Sequence, residues 1–370
     1  MQSDAVGVVD FPTLGDLVDG WIEQHCIIPK GFKRGRPFRQ YDWQFWCTAN
    51  HYRIREDAVF DPDDPPMNQA FTYRLTQVVA PQKTGKGPWS ACVTANDAVG
   101  PALFGGWAKR GAVYRCDENG CSCGWYFDYE VGEPMGARHP SPLIQLTASS
   151  ADQVKNVWDP LNTMIRRTGS HLRGLLLPRG EFIRIVAGDE SDPESDRIDM
   201  VTSSARSRLG NPISGYLHDE SGTYTKSNGM IEVADAQERG AAGMGGRGIQ
   251  TTNPWDPAAA SHAQVYFEAD LPDVFSFYRN PDLAPELHGP DGKPISYLTK
   301  ANRRKIHAYV YEGSDHVNLD SIEALASALI LKDPAQAERF FGNRIVAGGG
   351  AWLPEGLWDS RRSDIVEAAA

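Results

Sequence analysis

The sequence predicts an α/β domain in which a mostly parallel sheet is covered by helices on both faces and holds its ligand at the carboxyl ends of the strands. Three observations predict it. Apolar runs of strand length alternate with segments of helical spacing from Phe71 to about Asn253. One run, Gln77-Val78-Val79-Ala80, stops at a loop closed by Gly85-Lys86, just ahead of a helical segment. Another, Ile213 to His218, ends in the adjacent carboxylates Asp219 and Glu220.

The loop after the first run comprises Pro81, Gln82, Lys83, Thr84, Gly85, Lys86 and Gly87. Free N–H groups at a helix start, together with the helix dipole, favour an anion there, and Lys86 would sit on the β- and γ-phosphates. The pattern G-x-x-x-x-G-K-[ST] is only partly kept, because Ala80 stands for the first Gly and Gly87 for the Ser/Thr that normally ligates Mg²⁺. Those few residues also fit an ordinary strand-to-helix turn with a solvated lysine. The acidic pair favours the phosphate reading: a phosphate-loop ATPase uses one carboxylate to hold Mg²⁺ and the next to polarise the attacking water. By itself such a pair equally fits a solvated turn. A third run, Gly248 to Thr252, ends in Thr252 and Asn253, small polar groups able to sense a γ-phosphate or simply to form a turn before Pro254. With Gly87 in place, the metal must rely on Asp219, water and nucleotide, or on Ser90 one turn later.

In order, Gln82 to Gly87, Thr147 to Gln153, Ser203 to Gly210, His218-Asp219-Glu220 and Thr251-Thr252-Asn253 resemble the large terminase subunit of tailed bacteriophages, over about Arg36 to Trp358. The resemblance implies a RecA-like, additional-strand ATPase that uses ATP and Mg²⁺ to drive double-stranded DNA into a procapsid. It implies as partners the portal, a small terminase subunit and further copies in a ring, with a monomer when alone, in the host cytoplasm. Lys86 and the loop amides would bind phosphates, Asp219 would position Mg²⁺, Glu220 would activate water, and Thr252 with Asn253 would relay the γ-phosphate state. Gln44 fits by position a glutamine that pairs with the adenine edge, and equally a helix-surface residue. Gln82 stands where many relatives place an arginine. That leaves Arg206 and Arg208 as candidates to act on a neighbouring subunit's nucleotide, or as a surface pair for DNA or a carboxylate. The family's nuclease domain would begin near Ala370, so no nuclease activity is expected. A helicase-like translocase and a non-hydrolysing nucleotide-binding or scaffold protein are the rival readings.

Composition fits a globular chain: of 370 residues, 41% are apolar and 10% aromatic, enough for a sizeable core. No apolar run approaches the ~20 residues of a membrane span, and Met1 to Asp10 lacks the regions of a signal peptide, so a cytosolic chain is expected. A net charge of −11 argues against wholesale coating of nucleic acid and leaves any DNA contact to local basic patches.

Along the chain, residues 1–70 read as an N-terminal helical segment and adenine-side lead-in, 71–350 as the ATPase core, and 351–370 as a linker or tail. Leu14, Leu17, Val18, Trp21 and Ile22 give a helix over Pro12 to Gln24, and Tyr41 to Trp46 opens a second. Between them Lys30, Lys33, Arg34, Arg36 and Arg39 read as a solvated basic loop. Pro88 sits in the first turn of the helix after the phosphate loop, where a missing N–H costs nothing. Cys116, Cys121 and Cys123 lie on a hairpin inserted near 110–130. Zinc needs four ligands, which His139 or a distant Cys could complete, and a reduced surface hairpin is the simpler expectation. Leu143 to Ala148 is a strand and Asp152 to Met164 its helix. Phe182 to Val186 and Ile198 to Thr202 form a hairpin, and Gly229 to Arg239 a helix. Gln264 to Glu268 and Lys305 to Tyr311 are expected as added strands, and Ser321 to Leu331 and Ala335 to Asn343 as helices.

Overall fold

The structure is a computed structural model and describes residues 2–3, 5–186, 195–202 and 210–348. Two helices, α1 (Gly15–His25) and α2 (Asp42–His51), precede the strand β2 (Leu75–Val79), which leads into the Gly85-Lys86 loop, and its helix α3 (Lys86–Val99); β1 is the short Gln2–Ser3. A small antiparallel insertion follows, made of β3 (Leu103–Trp107) with β6 (Pro134–Ala137) and β4 (Val113–Arg115) with β5 (Tyr126–Asp128). Then come β7 (Leu143–Thr147), α4 (Ala151–Arg166), β8 (Leu176–Pro178), β9 (Phe182–Ile185), β10 (Arg197–Val201) and β11 (Gly215–Asp219). The chain continues through α5 (Met230–Ala242), β12 (Arg247–Thr252), α6 (His262–Ala269) and β13 (Val274–Tyr278) to α7 (Lys300–Val310), α8 (Leu319–Ile330) and α9 (Pro334–Gly342).

The main sheet has nine strands in the order β1-β13-β2-β12-β11-β7-β10-β9-β8. It is parallel from β1 to β10, and antiparallel only where β9 and β8 fold back. The crossover that matters is β12, which pairs with β2 on one side and β11 on the other. This is the additional-strand arrangement of a RecA-like α/β fold. It brings the ends of β2, β12 and β11 side by side.

The two faces of the sheet differ in chemistry. One is apolar: Val78, Leu146, Leu217, Ile249, Phe275 and Phe277 join the main core with residues of α1, α2, α3 and α4. There Trp43 stacks on Phe277 with ring centroids 6.1 Å apart. The fully buried Trp89 donates its indole N–H to Gln40 Oε1 and Thr48 Oγ1, each at 3.0 Å. The other face carries a buried polar row in register, Ser276, Gln77, Gln250, His218 and Thr147. Such a row is tolerable only when hydrogen-bonded. Ser276 Oγ donates to Gln77 Oε1 (3.2 Å), Gln77 Nε2 donates to Gln250 Oε1 (3.1 Å) and Ala263 O (2.9 Å), and Thr147 Oγ1 donates to Gln237 Oε1 of α5 (3.0 Å).

Two expected strands are helices. Gln264 to Glu268 lies in α6, where the Val-Tyr-Phe run suggests a strand, but Ser261 caps the helix by accepting from Gln264 N and the Gln264–Glu268 side-chain pair spans one turn at 2.8 Å. Lys305 to Val310 lies in α7, which Tyr311 caps, and its buried stripe of Arg303, Ile306, His307 and Val310 has helical spacing hidden by two polar members. Those two are buried because they are paired: Arg303 makes a bidentate contact with Glu323 (2.6 and 3.0 Å), and His307 Nε2 meets Tyr297 OH at 2.8 Å. The strand added beside β2 after α6 is instead β13, buried at every position.

Gly248 shows how tightly the sheet is packed, since a Cβ there would lie 2.2 Å from the Tyr216 ring on β11. Gly248→Val is expected to lower stability by about 1–3 kcal/mol through overpacking. Urea unfolding checks it; a midpoint unchanged from wild type would show that the ring moves aside freely.

Candidate nucleotide site

The loop between β2 and α3 closes on itself and is braced from outside. Lys83 (φ 72°) and Gly85 (φ 98°) adopt left-handed backbone, and Thr84 Oγ1 donates to Pro81 O at 3.0 Å. From the C-terminal helical cluster, Phe340 O accepts from Gln82 N (2.8 Å), Tyr311 OH donates to Gln82 O (2.9 Å) and His316 Nε2 donates to Lys83 O (3.0 Å). His316 also stacks on Tyr41, 5.6 Å between centroids. Gln44 is buried in this neighbourhood, not on the helix surface: its Oε1 accepts from Tyr41 N (3.0 Å) and its Nε2 faces Gly85 O at 3.5 Å.

Lys86 opens α3 and turns its ammonium back over the loop, donating to Ala80 O (2.6 Å), Pro81 O (2.9 Å) and Asn253 Oδ1 (3.1 Å). Burial pushes its pKa down, and the nearby Glu220 and Asp219 charges oppose that shift. Asp219 ends β11, buried, with Thr251 Oγ1 of β12 donating to it at 2.7 Å and Asn156 Nδ2 of α4 at 3.4 Å. Burial, with the charge of Glu220 beside it, raises Asp219 from an ordinary 3.8 to about 6. Glu220 follows in left-handed backbone (φ 55°), which swings its side chain to Asn253; the amide Nδ2 donates to Glu220 Oε2 at 3.0 Å. One side chain, Asn253, thus touches both the lysine and the glutamate. Thr252 faces the backbone, accepting from Gly222 N (3.0 Å) and donating to Asn253 O (2.7 Å).

The donor set suits a hard divalent cation: a buried carboxylate of Asp219 with a hydroxyl beside it, and a buried Ser90 Oγ with no partner among the described residues. These residues fit Mg²⁺. Gly87 has a packing cause, because a Cβ there would lie 2.5 Å from Asn156 O on α4. The helix that brings Asn156 to Asp219 therefore excludes a Ser or Thr at 87. Asn156 did not stand out in the sequence, and Thr251 stood out only within the Thr251-Thr252-Asn253 motif without a role of its own; their neighbours in space single them out. Arg206 and Arg208 lie outside the described residues. A second cluster of His218, Glu238 and His262 is accounted for by pairing, with His262 Nε2 3.0 Å from Glu238, Tyr266 OH donating to the same carboxylate, and burial driving His218 down to about 3.

Two outcomes are expected. Gly87→Ser, which restores the common phosphate-loop residue, is expected to destabilise the fold by about 1–3 kcal/mol and to give no gain in Mg²⁺ affinity; tighter Mg²⁺ binding with unchanged melting would refute the packing account. For Asp219 the folded state favours the proton, so this stabilisation is complete below about 3.8 and is lost as pH rises through about 6. Asp219→Asn is therefore expected to raise the stability of the ligand-free protein by on the order of 1–3 kcal/mol at pH 8, with the gain vanishing toward pH 4. Thermal melts of both proteins across that range decide it.

No protein-family model and no curated protein matches the sequence. Among solved structures, the large terminase of bacteriophage HK97 superposes with a TM-score of 0.57 at 14% identity, over 90% of this chain. This chain spans 55% of that protein's length. The large terminase ATPase domain of Thermus phage P74-26 gives a TM-score of 0.41 at 9% identity, covering 76% of this chain and 94% of that one. The large terminase of a thermophilic bacteriophage, solved in complex with ADP, gives 0.34 at 12%, covering 68% and 48%. Of these three, the HK97 likeness is the one close enough to carry the fold. Strand order and superposition together give this chain the fold of the part of the HK97 large terminase that it covers.

Proposed function

We propose that this chain hydrolyses ATP as the motor part of a phage large terminase, moving double-stranded DNA into a procapsid. The observation that supports it most is the position of Asn253. It leaves the strand lying between the phosphate loop and the acidic pair, and its amide holds Lys86 with one end and Glu220 with the other. An incoming γ-phosphate competes with Asn253 and the loop carbonyls for the Lys86 ammonium. Losing that partner lets Asn253 release Glu220, whose carboxylate is then available to take the proton of an attacking water. Mg²⁺, held by Asp219 and water, would supply charge neutralisation on the phosphates. The protein's share is to bind, to orient and to keep Glu220 idle until nucleotide is seated.

Gly87 is the feature that favours a non-hydrolysing binder, and the Asn156 carbonyl gives it a steric reason independent of activity. Gln44 and the Tyr41–His316 stack border the loop and are assigned to the adenine side. For DNA, an acidic chain needs local positive charge. Lys30, Arg34, Arg166 and Arg167 line a cleft of about 620 Å³, with Asp159 facing Lys30 at 3.9 Å. Portal, small subunit and ring partners belong to the same proposal, with Arg206 or Arg208 reaching a neighbour's nucleotide.

Phosphate release with and without DNA tests the proposal. Glu220→Gln is expected to keep ATP affinity and lose about 10²–10⁴ in turnover, whereas Lys86→Ala weakens binding itself. Equal loss of affinity in both would show the roles misassigned. Asn253→Ala is expected to leave nucleotide bound but to uncouple hydrolysis from DNA movement. Mixing an Arg206→Ala/Arg208→Ala subunit with a Glu220→Gln subunit should restore part of the activity; no recovery would place those arginines outside the shared site.

A further inference from the structure

The inserted hairpin, remote from the nucleotide loop in sequence and role, holds the strongest unassigned chemistry. Cys116, Cys121 and Cys123 converge with His25 of α1, and the three sulfurs and the imidazole Nε2 all lie within 4.8 Å of one another. Nε2 is 3.3 Å from Cys121 Sγ, 3.4 Å from Cys123 Sγ and 3.7 Å from Cys116 Sγ. A tetrahedron built from Zn–S bonds of ~2.3 Å and a Zn–N bond of ~2.0 Å has N···S edges of about 3.5 Å. The group that completes a set of four here is neither His139 nor a distant cysteine, but a histidine on the first helix.

The surroundings are those of a metal histidine. His25 Nδ1 donates to Trp21 O at 2.8 Å, which fixes the tautomer and leaves the Nε2 lone pair facing the sulfurs. Trp21 stacks on the imidazole at 4.3 Å and Trp125 meets it edge-on. Trp125 N–H donates to Cys123 Sγ at 3.4 Å. Gly120 (φ 80°) and Gly124 (φ 73°) supply the left-handed turns that bring the three thiols to one point. All six cysteines are free thiols. The hairpin strands β4 and β5 have only three residues each, too little to hold such a turn by packing alone.

The geometry points to a structural Zn²⁺ site of three thiolates and one imidazole that staples the hairpin to α1. All four positions come from the protein, so no open position remains for a substrate. Soft thiolates with one imidazole select zinc over Mg²⁺, which keeps this site chemically separate from Asp219. Such an ion would fix the insertion against the helix that packs beneath α3, and hence on the apolar face of the ATPase sheet.

The test is metal content of the full chain purified under reducing conditions without chelator. About one zinc per chain is expected, with Co²⁺ replacement giving thiolate-to-cobalt charge transfer and intense tetrahedral bands. Cys121→Ser is expected to lose the metal, and a strong chelator to open residues 113–128 to protease. His25→Cys keeps four ligands and is expected to retain the metal with stronger charge transfer. That readout holds even if the serine variant fails to fold. Wild-type protein that neither carries zinc nor takes up Co²⁺ overturns the site, and a Co²⁺ spectrum unchanged by His25→Cys overturns His25 as the ligand.

Discussion

Everything around the candidate nucleotide site depends on keeping one buried ammonium compensated. Lys86 is almost wholly enclosed, and a charge so placed survives only with oxygens around it. The loop supplies two carbonyls and the neighbouring strand supplies the Asn253 amide. Because the same amide also holds Glu220, the requirement for compensation becomes a link between Lys86 and Glu220. Compensation by neutral dipoles is exchangeable in a way that a tight ion pair is not. A phosphate can replace those dipoles without first breaking a direct lysine–carboxylate bridge.

The sheet makes that link possible and sets its limits. With β12 between β2 and β11, residues at the three strand ends fall within hydrogen-bond reach, and Thr251 meets Asp219 laterally as Asn253 meets Glu220. The polar row on the far face gives rigidity of another kind, tying β13, β2 and β12 to one another and to α6, and β7 to α5, by directional bonds. The C-terminal helices then brace the loop through Tyr311, His316 and Phe340, so a change in loop shape reaches that cluster directly.

The departures from the usual phosphate-loop pattern follow from packing more than from chemistry. Gly87 is glycine because α4 passes too close for a Cβ, and the same α4 residue, Asn156, reaches Asp219 with its side chain. One turn later, Ser90 Oγ is buried with no hydrogen-bond partner among the described residues.

Sequence alone determined the class of fold and the order of its working parts. The reason is that a Gly-Lys turn after a buried strand, and paired acids at the end of another, are short-range signatures fixed by turn geometry and burial period. It misread Gln264 to Glu268 and Lys305 to Tyr311, where aromatic and β-branched residues mimic a strand and pairing hides the helical stripe. Only the tertiary structure decided which groups meet: Asn253 with Lys86 across 167 residues, Asn156 with Asp219 across 63, and His25 with Cys116 across 91. Contacts at such separations leave no periodic mark in the chain. They arise from strand order and helix packing, which the whole core sets together.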